Sequence, residues 1–106
     1  MGTLLYGNPN SEITFPDRAL AHLQVVIVAK LRRRESFVFS WAIPSTGGSG
    51  RTAIWVDPSI TMMFRYSGSR MPALNRAWID VLAASSNSPA GLVFTDEAHL
   101  DEAVVT

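Results

Sequence analysis

Residues 15–34 read FPDRALAHLQVVIVAKLRRR, and the fold turns on whether they make a helix or a strand. Leu20, Leu23, Ile27 and Leu31 recur at helical intervals, so one face of a helix would carry all four. The run VVIV at 25–28 pulls the other way, because β-branched side chains lose rotamer freedom in a helix and fit a pleated sheet. The flanks decide it: Ala, Leu, Gln, Lys and Arg are strong helix formers, and the period runs unbroken through the valines. A helix is expected, with Asp17 as its N-terminal cap.

Working outward, TLLYG and EITF are two short strands separated by the turn-rich NPNS, a hairpin. After the helix, SFVFSWAI alternates, with Phe37, Phe39, Trp41 and Ile43 on one side and Ser36, Val38, Ser40 and Ala42 on the other. PSTGGSG reads as a hairpin loop, followed by the strands RTAIWVD and ITMMFRYSG. A second helix is expected where Leu74, Trp78, Val81, Leu82 and Ser85 form a stripe, with Pro72 in its first turn and Arg76 and Asp80 as an i,i+4 pair. LVFT closes the order ββαβββαβ, an α+β domain over residues 1–95 of mainly antiparallel sheet with two packed helices. Residues 96–106 read as an acidic, disordered tail.

Composition narrows the chemistry. With 47% hydrophobic and 17% charged residues, the 106-residue chain can bury one core. There is no apolar run long enough to cross a bilayer and no basic region followed by an apolar stretch at MGTLLYG, so a cytoplasmic location is expected. The absence of cysteine excludes disulfides and thiol chemistry, and His22 and His99, with scattered carboxylates, suggest neither a metal site nor a cofactor. His22 is expected on the polar side of its helix.

Nine bases balance nine acids, but Asp96, Glu97, Asp101 and Glu102 fall in the last eleven residues. Residues 1–95 therefore hold nine bases against five acids, about +4. Eight of the nine bases are arginine, which suits phosphate or carboxylate partners and equally reflects a GC-rich codon usage. AKLRRRES at 29–36 reads two ways: as a grip on nucleic acid by Arg32, Arg33 and Arg34, or as a solvated helix end whose cations complement the macrodipole. RYSGSRMPALNR gathers Ser67, Ser69, Arg70, Asn75 and Arg76 at a strand-to-helix turn, a candidate phosphate or carboxylate site. The alternative is that Ser69 caps the helix and the arginines pair with Asp57, Asp80 or the tail. PSTGGSGRTA fails as a phosphate loop, since Ser45 stands where Gly is needed and Arg51 opens a strand.

MGTLLYGN, DRALAHLQVVIVAKLRR, SFVFSW, WVDPSI, GSRMPALNRAWI and SPAGL together resemble a family of small bacterial proteins of unassigned function, over about residues 1–94. Members are often labelled "ATP-dependent DNA ligase". The family commonly has Gly after the Arg-Arg pair, where this chain has Arg34, a departure from the usual helix stop. The ligase chemistry itself needs a nucleophilic lysine in K-x-D-G, yet the lone Lys30 is followed by Leu31-Arg32-Arg33.

The reading favoured is a non-catalytic binding module with an anionic partner, nucleic acid or phosphate, held by Arg32, Arg33, Arg34, Arg51 and the 67–76 turn. An accessory to a DNA ligase or repair system, by label, and a homo-oligomeric structural protein are the alternatives. Three Trp and five Phe are many for one core, so a homodimer with Val38, Met63 and one side of strand 52–56 at its contact is expected.

Overall fold

The valine run is helical. In the computed structural model, which describes residues 1–7, 11–45 and 48–99 (residues 43–45, 48–49 and 99 by backbone alone), α1 spans Asp17–Arg32. Val26 and Ile27 are buried while Val25 is 36% exposed, so the β-branched residues divide between two sides of one helix. Asp17 does not cap it. Pro16 takes that position, its carbonyl accepting the Leu20 N–H at 2.9 Å, and Asp17 becomes the first helical residue.

The helix ends in a Schellman motif. The Arg34 N–H donates to Leu31 O at 3.0 Å and the Glu35 N–H to Lys30 O at 3.1 Å. Arg34 occupies the left-handed position at φ 59°. The stop therefore forms without glycine, at the steric cost that a Cβ incurs there.

The order is ββαβββαβ, as expected, but the strands form two three-stranded sheets. In the first, β1 (Gly2–Tyr6) lies between β2 (Ser11–Phe15) and β5 (Met62–Arg65), antiparallel to both. In the second, β3 (Phe37–Ser45) lies between β4 (Gly48–Val56), antiparallel, and the two-residue β6 (Leu92–Val93), parallel. The chain passes between sheets after β4, where Ser59 N–H turns back onto the Asp57 carboxylate at 3.0 Å and Ile60 N–H onto its carbonyl. β5 thus leaves its sequence neighbour for β1, and Val38 and Met63 fall on different sheets. The loop expected over 44–50 is largely ladder: Ile43 pairs with Gly50 and Ser45 with Gly48, while residues 46–47 lie outside the described ones.

α2 (Arg76–Ser86) starts later than its apolar stripe suggests. Asn75 caps it, its side-chain oxygen accepting the Ala77 and Trp78 N–H groups at 3.0 and 3.4 Å. Ser69 and Pro72 lie upstream in the connecting segment, and Leu74 stands 49% exposed. The core runs from Leu4 and Phe15 of the first sheet through Leu20, Leu23 and Ile27 to Phe37, Phe39, Trp41, Trp78, Leu82 and Leu92. Phe15 bridges the sheets, its ring 6.1 Å from both Phe39 and Trp41.

Arg34→Gly is expected to raise stability. Relief of the left-handed conformation is worth about 1–2 kcal/mol, offset by about 0.4–1 kcal/mol of added freedom in the unfolded chain. Thermal unfolding should shift upward by a few degrees; a fall would show that the Arg34 side chain makes a compensating contact.

Candidate functional site

The polar centre of the molecule is a residue that the sequence places on the wrong side. His22 is fully buried, not on a polar face. Its Nδ1 is 2.7 Å from the Arg18 carbonyl, which can only accept, so Nδ1 carries the proton. Its Nε2 accepts the Asn75 N–H at 2.8 Å. The ring lies 4.4 Å from that of Trp78 at 31°, and the Trp78 indole N–H donates to Thr95 O at 2.6 Å.

Around this pair the charged groups close a network. Arg18 binds Glu97 bidentately at 2.9 and 2.8 Å and donates to Ala73 O at 2.5 Å. The Asn75 amide adds a third hydrogen bond to Glu97 at 2.8 Å. The Arg18 guanidinium, then the Asn75 amide, hold the Glu97 carboxyl down at about 2, and Glu97 in turn raises the Arg18 guanidinium. Residues 97–99 form a 3₁₀ turn, so the start of the expected tail is tied to α1; residues 100–106 lie outside the described ones. Glu97 and Arg18 carry no local motif, and only the tertiary fold, 79 positions apart in sequence, joins them.

Part of the 67–76 turn is taken up by acids remote in sequence, Asp17 and Glu97. The Ser67 and Gly68 N–H groups donate to the Asp17 carboxylate at 3.2 and 3.0 Å and hold that carboxyl below its usual range. The Ser67 hydroxyl donates to Met1 O. Asn75 is occupied by the cap, His22 and Glu97, and Arg76 pairs with Asp80 at 3.2 Å. Ser69 and Arg70 line a small pocket of about 110 Å³ with Ala21, Tyr66 and Pro72.

The arginine cluster sits at the other end of α1, about 24 Å away by helical rise, so the two candidate groups are separate places. Here Lys30 is buried, with Nζ 2.9 Å from Glu35 and 3.0 Å from Asn87 Oδ1, and lies over the Phe37 ring. Glu35 is held below its usual range, chiefly by Lys30 and then Arg33, which approaches to 3.4 Å. Arg32 and Arg34 are exposed with no carboxylate partner among the described residues, as are Arg51 on β4, Arg65 on β5 and Arg70. Beside this end opens a cleft of about 220 Å³ lined by Lys30, Ser36, Val38, Trp55 and Ser88. Its hydroxyls are already paired, Ser36 to Asp57 and Ser88 to Ser85 O. Phe37, Phe39 and Trp41 are core, as expected; Trp55, 57% exposed, is the aromatic residue presented outward. Among the described residues no three of His, Asp and Glu gather to hold a metal, and no helix is long and apolar enough to cross a membrane.

A family model, Domain of unknown function (DUF7882), matches residues 1–97. No curated protein and no solved structure matches the chain.

Two variants test the network. His22→Phe keeps an aromatic ring on Trp78 but removes the acceptor of the half-buried Asn75 N–H, while Arg18 O keeps its helical bond, and urea unfolding should show a loss of about 1–3 kcal/mol. Glu97 is held from its usual 4.5 down to about 2, so its contribution is present above pH 4.5 and is lost as pH falls through about 2. Glu97→Gln should lower stability at neutral pH and flatten the decline between pH 4.5 and 2, leaving the part due to Asp17, Glu35 and Asp57. An unchanged slope would show that the network adds nothing to folding.

Proposed function

The chain belongs to the DUF7882 family, a domain of unknown function, and from that premise we propose that it is a non-catalytic binding module for a polyanion, with nucleic acid the partner class that fits. The observation that supports this reading is the imbalance in how charge is used. Asp17, Glu35, Asp57, Asp80 and Glu97 each hold hydrogen-bond or ion-pair partners, whereas Arg32, Arg34, Arg51, Arg65 and Arg70 keep no carboxylate among the described residues. Glu12 is an exposed carboxylate without such a partner, so the unpaired charges among the described residues are mainly, not wholly, cationic, although the chain as a whole is neutral. Guanidinium groups match phosphate oxygens in a planar, two-pronged geometry. Arg32 and Arg34, two positions apart and both exposed at the end of α1, make the leading contacts, and Arg65 and Arg70 elsewhere in the chain add diffuse attraction.

Because such contacts release counterions, binding of a labelled single strand of roughly 30 nucleotides should weaken steeply with salt. Arg32→Ala with Arg34→Ala should weaken all sequences alike and reduce the log–log salt slope by about 2. No shift at ~50 mM salt with tens of micromolar protein, where counterion release favours complex formation, would end the reading.

A further inference from the structure

β4 is one of the two edge strands of its sheet, hydrogen-bonded to β3 alone. Its ladder is one-to-one from Val56 to Gly48, so no bulge twists the edge away, and RTAIWV at 51–56 carries neither proline nor lysine. Natural sheets use those devices to keep edges single; an edge without them is open to pairing. Arg51, Ala53 and Trp55 are exposed on the outer side, while Thr52 and Ile54 are half-buried and Val56 is buried on the inner side. Two groups along this edge, Arg51 within β4 and Asp57 just past its last residue, lack charged partners among the described residues. Arg51 has no carboxylate, and the Asp57 carboxylate is met by neutral donors alone, the Ser36 hydroxyl and the N–H and hydroxyl of Ser59.

We propose that two copies of the chain pair antiparallel through the free edges of β4, with the two-fold axis at Ile54. In this register Arg51 faces the partner's Asp57, Thr52 the partner's Val56, and Ala53 the partner's Trp55, each repeated across the axis. Side-chain parity requires that outer residues meet outer residues, which leaves registers shifted in steps of two. Centring on Ala53 sets Arg51 against the partner's Trp55, and centring on Trp55 stacks the two indoles and sets Asp57 against the partner's Ala53. The Ile54 register alone forms both charge pairs and sets the bulky indole beside the smallest outer side chain. It also joins the half-buried Ile54 of each copy on the inner side, extending the core across the axis. The result is a continuous six-stranded sheet, and it does not depend on the polyanion reading, since Arg32 and Arg34 take no part.

The test uses the full chain without nucleic acid. Light scattering and sedimentation over a concentration range reaching roughly 500 µM should show a mass rising from 11.6 kDa toward twice that value, since opposite charges directly across a strand pair favour association. Arg51→Asp sets like charges against each other at both ends and should weaken association by roughly tenfold. Mixing Arg51→Asp with Asp57→Arg should restore it as a heterodimer. Should Asp57→Arg fail to fold, a single thiol decides the register, because the chain has no cysteine. Ile54→Cys, on the axis at about 4.5–5.5 Å between Cα atoms, should form a disulfide dimer on mild oxidation far faster than Thr52→Cys. A mass of 11.6 kDa throughout that range, a dimer indifferent to Arg51→Asp, or equal cross-linking at 52 and 54 overturns the proposal.

Discussion

The fold hangs on one buried imidazole. His22 receives Asn75's N–H on one nitrogen and gives a proton to the Arg18 carbonyl with the other, so it fastens the first turn of α1 to the N-cap of α2. α1 covers the β1–β2 sheet and α2 covers β3 and β6, so the ring also couples the two sheets. Both nitrogens are satisfied in the neutral form, which is why a polar ring can occupy a fully buried position without the cost of an orphaned donor or acceptor. Trp78 packs on its face, and Arg18 and Glu97 close the rim where the joint nears solvent.

Much of this was legible in the sequence where one element decides its own structure. The 20, 23, 27, 31 spacing outweighed the β-branched run because that run offers two residues to each side of a helix, and the alternation at 37–41 placed Phe37, Phe39 and Trp41 inward. What stayed hidden was set by partners remote in sequence. His22 falls off the leucine stripe, and only the arrival of α2 gives it a buried surface. The 67–76 turn contains no acid of its own, yet Asp17 reaches its N–H groups from 50 positions away. β5 follows β4 by a short turn but pairs with β1, an outcome the strand patterns do not distinguish because neither side of either strand is plainly polar. The start of α2 went to Asn75 rather than the region of Ser69 and Pro72, since Asn75 alone supplies a side-chain acceptor for the first helical N–H groups.

The electrostatics have a consistent direction. Carboxylates are drawn toward backbone N–H groups, hydroxyls and the amide of Asn75, and each such contact favours the ionised form. Arginine side chains reach outward from helix ends and sheet faces with their heads in water, where a charge costs little to keep unpaired.

Lys30 carries the chain's single side-chain amine, and it is 8% exposed between Glu35, Asn87 and the Phe37 ring. Acylation requires an amine that the reagent can reach, and in the folded state this one is enclosed. Its reactivity toward an activated ester therefore measures how often the last turn of α1 lets go. The exposed Met1 amine reacts first, and the second mass increment, followed over time, reports the opening of the helix end without any engineered label.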